Sequence, residues 1–212
     1  MITTFEAALD VVVEDLAPVL AEGAARALVG ITGPPGVGKS TFAEALADRL
    51  GAACVPMDGF HLSNSQLDRL GRRIRKGAMD TFDVDGYVAL LERIATAVGD
   101  VYVPGFDRAL EEPVAATHVV PADARAVITE GNYLGVDAPG WRAVRPLLHR
   151  LYYLDAPPEL RRERLVARHI AGGRVPGDAR TWVDEVDEPN AALIARSRVR
   201  CDRVFDIAES SS

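Results

Sequence analysis

Residues 33–40 read "GPPGVGKS". The stretch fits G-x-x-x-x-G-K-[ST], with Gly33, Pro34, Pro35, Gly36, Val37 and Gly38 leading to Lys39 and Ser40. Glycines let a backbone curl so that successive N–H groups converge on phosphate oxygens. A following helix adds positive partial charge at its N-terminus. Lys39 reaches β- and γ-phosphates as a point charge, Thr41 continues the helix start beside them, and the Ser40 hydroxyl suits a Mg²⁺ ion bridging the same phosphates. The context agrees. "RALVGITG" (26–33) is an apolar run ending in glycine, and the pattern after Ser40 is helical until Gly51.

Outward from this loop, apolar runs alternate with helical patterns. "AACVPMD" (52–58), "ARAVITEG" (124–131), "HRLYYLD" (149–155) and "DRVFDI" (202–207) read as strands. Residues 4–21 carry helical periodicity. Asp83 or Asp85 caps a helix over 86–99, and Ser63 or Ser65 caps a short one over 66–70. "WRAVRPLL" (141–148) is a short helix, and prolines open another at 157–170. Residues 104–121 suggest an irregular hairpin, 71–81 an exposed basic loop, and 171–180 a mobile glycine-rich segment. The tail "AESSS" is expected to fray. The alternation predicts an α/β fold, a mostly parallel sheet with helices on both faces, in one domain spanning 1–212.

Composition narrows the function. The chain has 212 residues, 48% hydrophobic and 26% charged, with a net charge of −7. That argues against a nucleic-acid partner. No apolar run reaches membrane-spanning length, and the first residues lack the basic start of a signal peptide. Cys54 and Cys201 have no metal spacing and read as reduced packing residues, so a cytoplasmic location is expected. Lys39 and Lys76 are the only lysines. A guanine-reading Asn-Lys-x-Asp is therefore absent, which disfavours a GTPase switch.

Phosphoryl transfer to a small molecule needs a carboxylate at the acceptor, an acid near the metal and cations over the phosphoryl group. Asp58 ends the strand after the loop's helix, and Glu130 ends another. In a parallel sheet such ends gather at the ligand crevice. Asp58 is a candidate base, although Asp-Gly is also a common turn pair. Glu130 is a candidate for holding Mg²⁺-bound water, although Glu-Gly also makes a turn. Arg161, Arg164 and Arg168 form one helical stripe, with Arg174 beyond Gly172-Gly173. Arginine binds phosphate oxygens bidentately, so this segment (about 161–182) suits a lid. An ordinary solvated ion-pair face is the alternative.

In their order along the chain, "MDGFHLSN" (57–64), "TFDVDGYVALL" (81–91), "VPGFDR" (103–108), "ITEGNYL" (128–134) and the arginine-rich segment resemble the phosphoribulokinase, uridine kinase and bacterial pantothenate kinase group of P-loop kinases. The likeness is nearest to a branch carrying Asp-Gly-Phe-His-Leu, some members of which are linked to sugar uptake. The resemblance implies a P-loop NTPase fold with an arginine-rich lid, ATP and Mg²⁺ as cofactors, and a small-molecule acceptor, with homodimerisation left open. Asp58 matches the group's catalytic base. Phe60, His61 and Asn64 follow it as acceptor-pocket walls. Asp83 stands where uridine kinases bind sugar hydroxyls, and Asp107 and Arg108 replace their Tyr-Asp segment. Lys39, Glu130 and Arg168 complete the implied catalytic set. Arg164 joins the nucleotide side, and Arg174 the acceptor side. Nucleoside, sugar and pantothenate-like acceptors all remain, with a nucleoside or sugar hydroxyl ranked first. The alternative is a regulatory or transport-associated ATPase without an acceptor.

Overall fold

Strand β2 (Ala27–Thr32) is buried at every position, and its side chains divide by the two-residue strand period. Leu28 enters one hydrophobic cluster, while Val29 and Ile31 enter the other. A strand buried on both faces belongs in the middle of a parallel sheet. The computed structural model, which describes residues 2–21 and 26–207, places it there. Six parallel strands run in the order β1-β8-β7-β2-β6-β3. They are β1 (Ile2–Thr3), β3 (Ala53–Pro56), β6 (Ala126–Glu130), β7 (Arg150–Asp155) and β8 (Arg203–Ile207), together with β2. The end expected for "AESSS" lies outside the described residues.

Helices cover both faces. On one, α1 (Phe5–Ala21) and α2 (Lys39–Leu50) bury Leu9, Val12, Phe42 and Leu46. On the other, α4 (Val84–Thr96) buries Tyr87, Leu91 and Ile94 beside Tyr133 and Trp141. Helix α2 ends at Gly51, whose φ of 59° is a left-handed C-cap. Cys54 and Cys201 are half-buried free thiols, and burial pushes each up to about 12, so both stay protonated. Among the described residues no helix is long and apolar enough to cross a membrane.

Local details differ from the sequence reading for physical reasons. The strand holding "AACVPMD" stops at Pro56, and Met57–Phe60 form a 3₁₀ turn. Ser63 caps α3 (Asn64–Arg69). Residues 71–81 are not a free loop. Two 3₁₀ turns, Arg73–Arg75 and Met79–Thr81, are pinned where Tyr133 Oη donates to the Gly77 carbonyl (2.6 Å) and Trp141 Nε1 to that of Met79 (3.2 Å). The segment 141–148 is also two 3₁₀ turns. The hairpin is a separate antiparallel ribbon of β4 (Val101–Asp107) and β5 (Glu112–Val120). Helix α5 (Pro158–Ala171) is followed after Gly172, Gly173, Arg174 and Val175 by α6 (Pro176–Trp182), so more than half of the expected mobile segment is helical. Then comes α7 (Glu188–Ala195). The two-residue edge strand β1 was too short to carry a sequence signal.

Candidate active site

The loop 33–38 leaves β2 and turns directly into α2, with Gly38 as left-handed N-cap (φ 95°). Gly36 shows why the loop needs glycine. Its φ is 79°, and an added Cβ would stand 2.8 Å from the Arg161 carbonyl oxygen. The loop thus lies against the first turns of α5. Lys39 is buried, and its Nζ donates to the Pro34 carbonyl at 3.1 Å. Ser40 Oγ donates to Glu130 Oε1 at 3.1 Å. Glu130 arrives there by register: β6 lies between β2 and β3, pairing Glu130 with Ile31 on one side and Pro56 on the other.

Two residues past Pro56, Asp58 projects from its turn on the same rim. Its carboxylate lies 3.6 Å from Arg108 Nη2, and its main-chain oxygen lies 2.8 Å from His61 Nδ1. That contact assigns the His61 proton to Nδ1. Burial lowers the His61 pKa and favours the neutral ring, which packs at a tilt against Phe82 (4.0 Å) and Phe106 (4.8 Å). Gly59 lets the turn touch the ribbon. A Cβ there would fall 2.2 Å from the Pro104 carbonyl oxygen. Gly59→Ala must therefore push β4 away from the turn. We expect a loss of about 1–3 kcal/mol, read as a lower midpoint in thermal unfolding.

These parts enclose a cleft of about 640 Å³. Its lining includes Pro35, Gly36, Lys39 and Ser40 of the loop, Asp58, His61, Asn64 and Arg108, and Arg168 and Arg174. A smaller cavity of about 220 Å³ lies over the loop, lined by Gly36, Gly38, Lys39, Ser40, Thr41, Arg164 and Arg168. Burial pushes the Lys39 ammonium pKa down, opposed by Glu130 and then Asp58. Burial pushes the Glu130 carboxyl up, and Asp58 adds to that, while Lys39 and Ser40 pull it down. Arg168 is exposed on the rim, yet desolvation within the cleft and the neighbouring Arg108 hold it below the usual arginine range.

Several expected residues lie elsewhere. Phe60 packs edge-on against Tyr87 (5.2 Å) in the core. Asp83 caps α4 through the Gly86 N–H (3.0 Å), and Asp107 accepts from the Ala109 and Leu110 N–H groups (2.8 and 3.0 Å) in the ribbon turn. None of these three lines the cleft. Asn64 does line it, but its Oδ1 already accepts from Lys76 Nζ (2.8 Å) and its Nδ2 donates to the Glu111 carbonyl (3.1 Å). Arg161 lines neither the cleft nor the small cavity over the loop. It is buried under the loop, donating to the Pro35 carbonyl (3.5 Å) and pairing with Glu188 (3.5 Å). Pro34 faces a second cavity beside it, Val37 is buried, and Gly33 packs on the Leu154 backbone. The sequence reading missed Arg73, Lys76, Phe82, Phe106 and Trp182 on the cleft wall. Only the rarity of lysine could have flagged Lys76.

A glycine-rich loop with its lysine and serine at the carboxyl edge of a parallel sheet defines a nucleotide-binding P-loop protein. Residues 29–93 match the model of the ATPase family associated with various cellular activities. The chain is 35% identical to the Escherichia coli (strain K12) protein YggC over 192 residues, 87% of this chain and 79% of that one. It is 34% identical to the putative uridine kinase C227.14 of Schizosaccharomyces pombe over 195 residues, 85% of this chain and 83% of that one. Among solved structures, a putative fructose transport system kinase from Silicibacter sp. TM1040 superposes with a TM-score of 0.84 at 36% identity, over 95% of this chain and 98% of that one. The chain belongs to the same family as YggC and the putative uridine kinase C227.14, a uridine kinase-like group of P-loop proteins.

Proposed function

We propose that the protein transfers the γ-phosphoryl group of ATP to a hydroxyl of a small metabolite, as one domain whose lid is the α5–α6 segment. One observation carries this reading. A carboxylate, Asp58, lines the same cleft as Lys39 and Ser40 of the P-loop, close enough that its charge bears on both Lys39 and Glu130. A carboxylate there can take the proton of an attacking hydroxyl, of a metabolite or of water, and the dependence of ADP release on a metabolite separates the two.

Bound Mg-ATP supplies the transferable phosphoryl group. The Ser40 hydroxyl and Glu130 suit Mg²⁺, which takes few protein ligands and completes its shell with phosphate oxygens and water. A divalent cation would also stabilise the ionised form of a carboxyl whose pKa burial has raised. Lys39 neutralises charge on the β- and γ-phosphates, and Arg164 and Arg168 close the same small cavity from α5. Asp58 orients the acceptor hydroxyl and takes its proton as the new O–P bond forms and the bond to ADP breaks. His61, packed against two phenylalanines and bonded to the Asp58 main chain, fixes the base's turn. The related proteins named for uridine and fructose point to a nucleoside or sugar skeleton.

The test is ADP release with and without a panel of hydroxylated metabolites. Release that depends on one compound is expected. Equal release throughout would favour the regulatory or transport-associated ATPase instead.

A further inference from the structure

This inference rests on the kinase reading and concerns the acceptor. The phosphoryl group in transit is served by Lys39, Arg164 and Arg168, which line the small cavity over the P-loop. The larger cleft holds four more cations outside that cavity: Arg73, Lys76, Arg108 and Arg174. Their present partners are weak. The Arg174 guanidinium lies 3.8 Å over the Trp182 ring and has no side-chain hydrogen bond or ion pair among the described residues. Arg73 reaches only Asp68, at 3.8 Å. Lys76 donates to neutral oxygens, Asn64 Oδ1 and the Glu111 carbonyl, and stands 4.9 Å over Phe106. Among the described residues Arg108 pairs with Asp58 alone, beyond hydrogen-bond length at 3.6 Å.

Of the acids in the cleft, Asp187 is committed to His169 (2.7 Å) and Glu130 to Ser40. Glu111 is the remaining carboxylate lining the cleft, with Glu112 near Lys76 and Asp68 near Arg73 outside its lining. Asp58 raises a sharper point. When it turns to an acceptor hydroxyl, Arg108 loses its one ion-pair partner among the described residues and keeps only the more distant charge of Glu130. A neutral sugar or nucleoside offers no replacement. An acceptor carrying its own anion does, and guanidinium geometry favours carboxylate or phosphate.

We infer that the acceptor is itself an anion: a small hydroxylated metabolite bearing a carboxylate or phosphate group, which Arg108 and Arg174 bind while Asp58 faces the hydroxyl. The fold of the site then exchanges one ion pair for another. Arg108 passes from Asp58 to the acceptor's anionic group, freeing the base only when the correct compound is present.

The experiment uses the full chain with γ-labelled ATP and a metabolite extract separated on an anion exchanger at neutral pH. Label transfer to an organic product is expected in the retained fraction. Phosphatase treatment of that fraction beforehand abolishes transfer if the anion is a phosphate and spares it if the anion is a carboxylate. Transfer confined to the unretained fraction would overturn the inference and leave the kinase reading standing. ADP release with label only in inorganic phosphate, in every fraction, would overturn both. With the acceptor in hand, Arg174→Gln is expected to raise its KM roughly 10- to 100-fold with the KM for ATP unchanged, and Arg174→Lys to recover part of the loss. An unaltered acceptor KM in Arg174→Gln would contradict the assignment.

Discussion

Asp58→Asn is expected to lower kcat by about 10²- to 10⁴-fold, the range of a lost general base, while ATP affinity stays near that of the parent protein. The two effects separate because of where Asp58 sits. It lines the large cleft but not the small cavity over the P-loop. Asparagine keeps the size and the oxygen of aspartate, so the 3₁₀ turn at Met57–Phe60 and the contact of Gly59 with Pro104 remain. What disappears is the proton acceptor and the ion pair to Arg108. Steady-state kinetics with a separate measurement of nucleotide binding checks both parts. A kcat within about twofold of the parent enzyme would remove Asp58 from the chemistry.

Lys39→Ala is expected to abolish measurable transfer, with a fall in kcat of at least about 10²- to 10³-fold. The lysine is the point charge at the phosphates and the counter-charge of a buried carboxylate at once. Its loss leaves Glu130 facing Asp58 without the ammonium, and Glu130 holds its proton more tightly still. That change limits the damage to folding, because a neutral carboxylic acid is far less costly to bury than a carboxylate. Lys39→Arg should not restore activity. The ammonium occupies a buried niche against the Pro34 carbonyl, and the planar guanidinium is larger and cannot enter it unchanged. Thermal unfolding beside the activity assay separates the two consequences. A Lys39→Ala protein that turns over at the parent rate would exclude the P-loop from catalysis.

Much of this site was legible in the sequence where local chemistry and position agreed. The P-loop is one continuous motif, so its reading needed no tertiary information. Glu130 and Asp58 were legible because strand ends of a parallel sheet converge, whatever the side chains do. Phe60, Asp83 and Asp107 were not. An aspartate in a turn reads alike whether it caps its own backbone or faces a ligand, and only packing decides. The arginine stripe shows another limit. Arg161 and Arg168 lie on nearly the same side of α5, but seven residues of rise separate them by roughly 10 Å. The first therefore lies beneath the P-loop and the second at the cleft. The basic segment 71–81 looked solvated because its pinning partners, Tyr133 and Trp141, are more than fifty residues away.

The central claim is that the γ-phosphate of ATP ends on a metabolite. Following that phosphate by mass spectrometry through turnover with a metabolite extract tests it most directly. The expected result is an organic compound heavier by one phosphate, formed in step with ADP and absent with the Asp58→Asn protein. Inorganic phosphate as the sole product, with or without the extract, would contradict it.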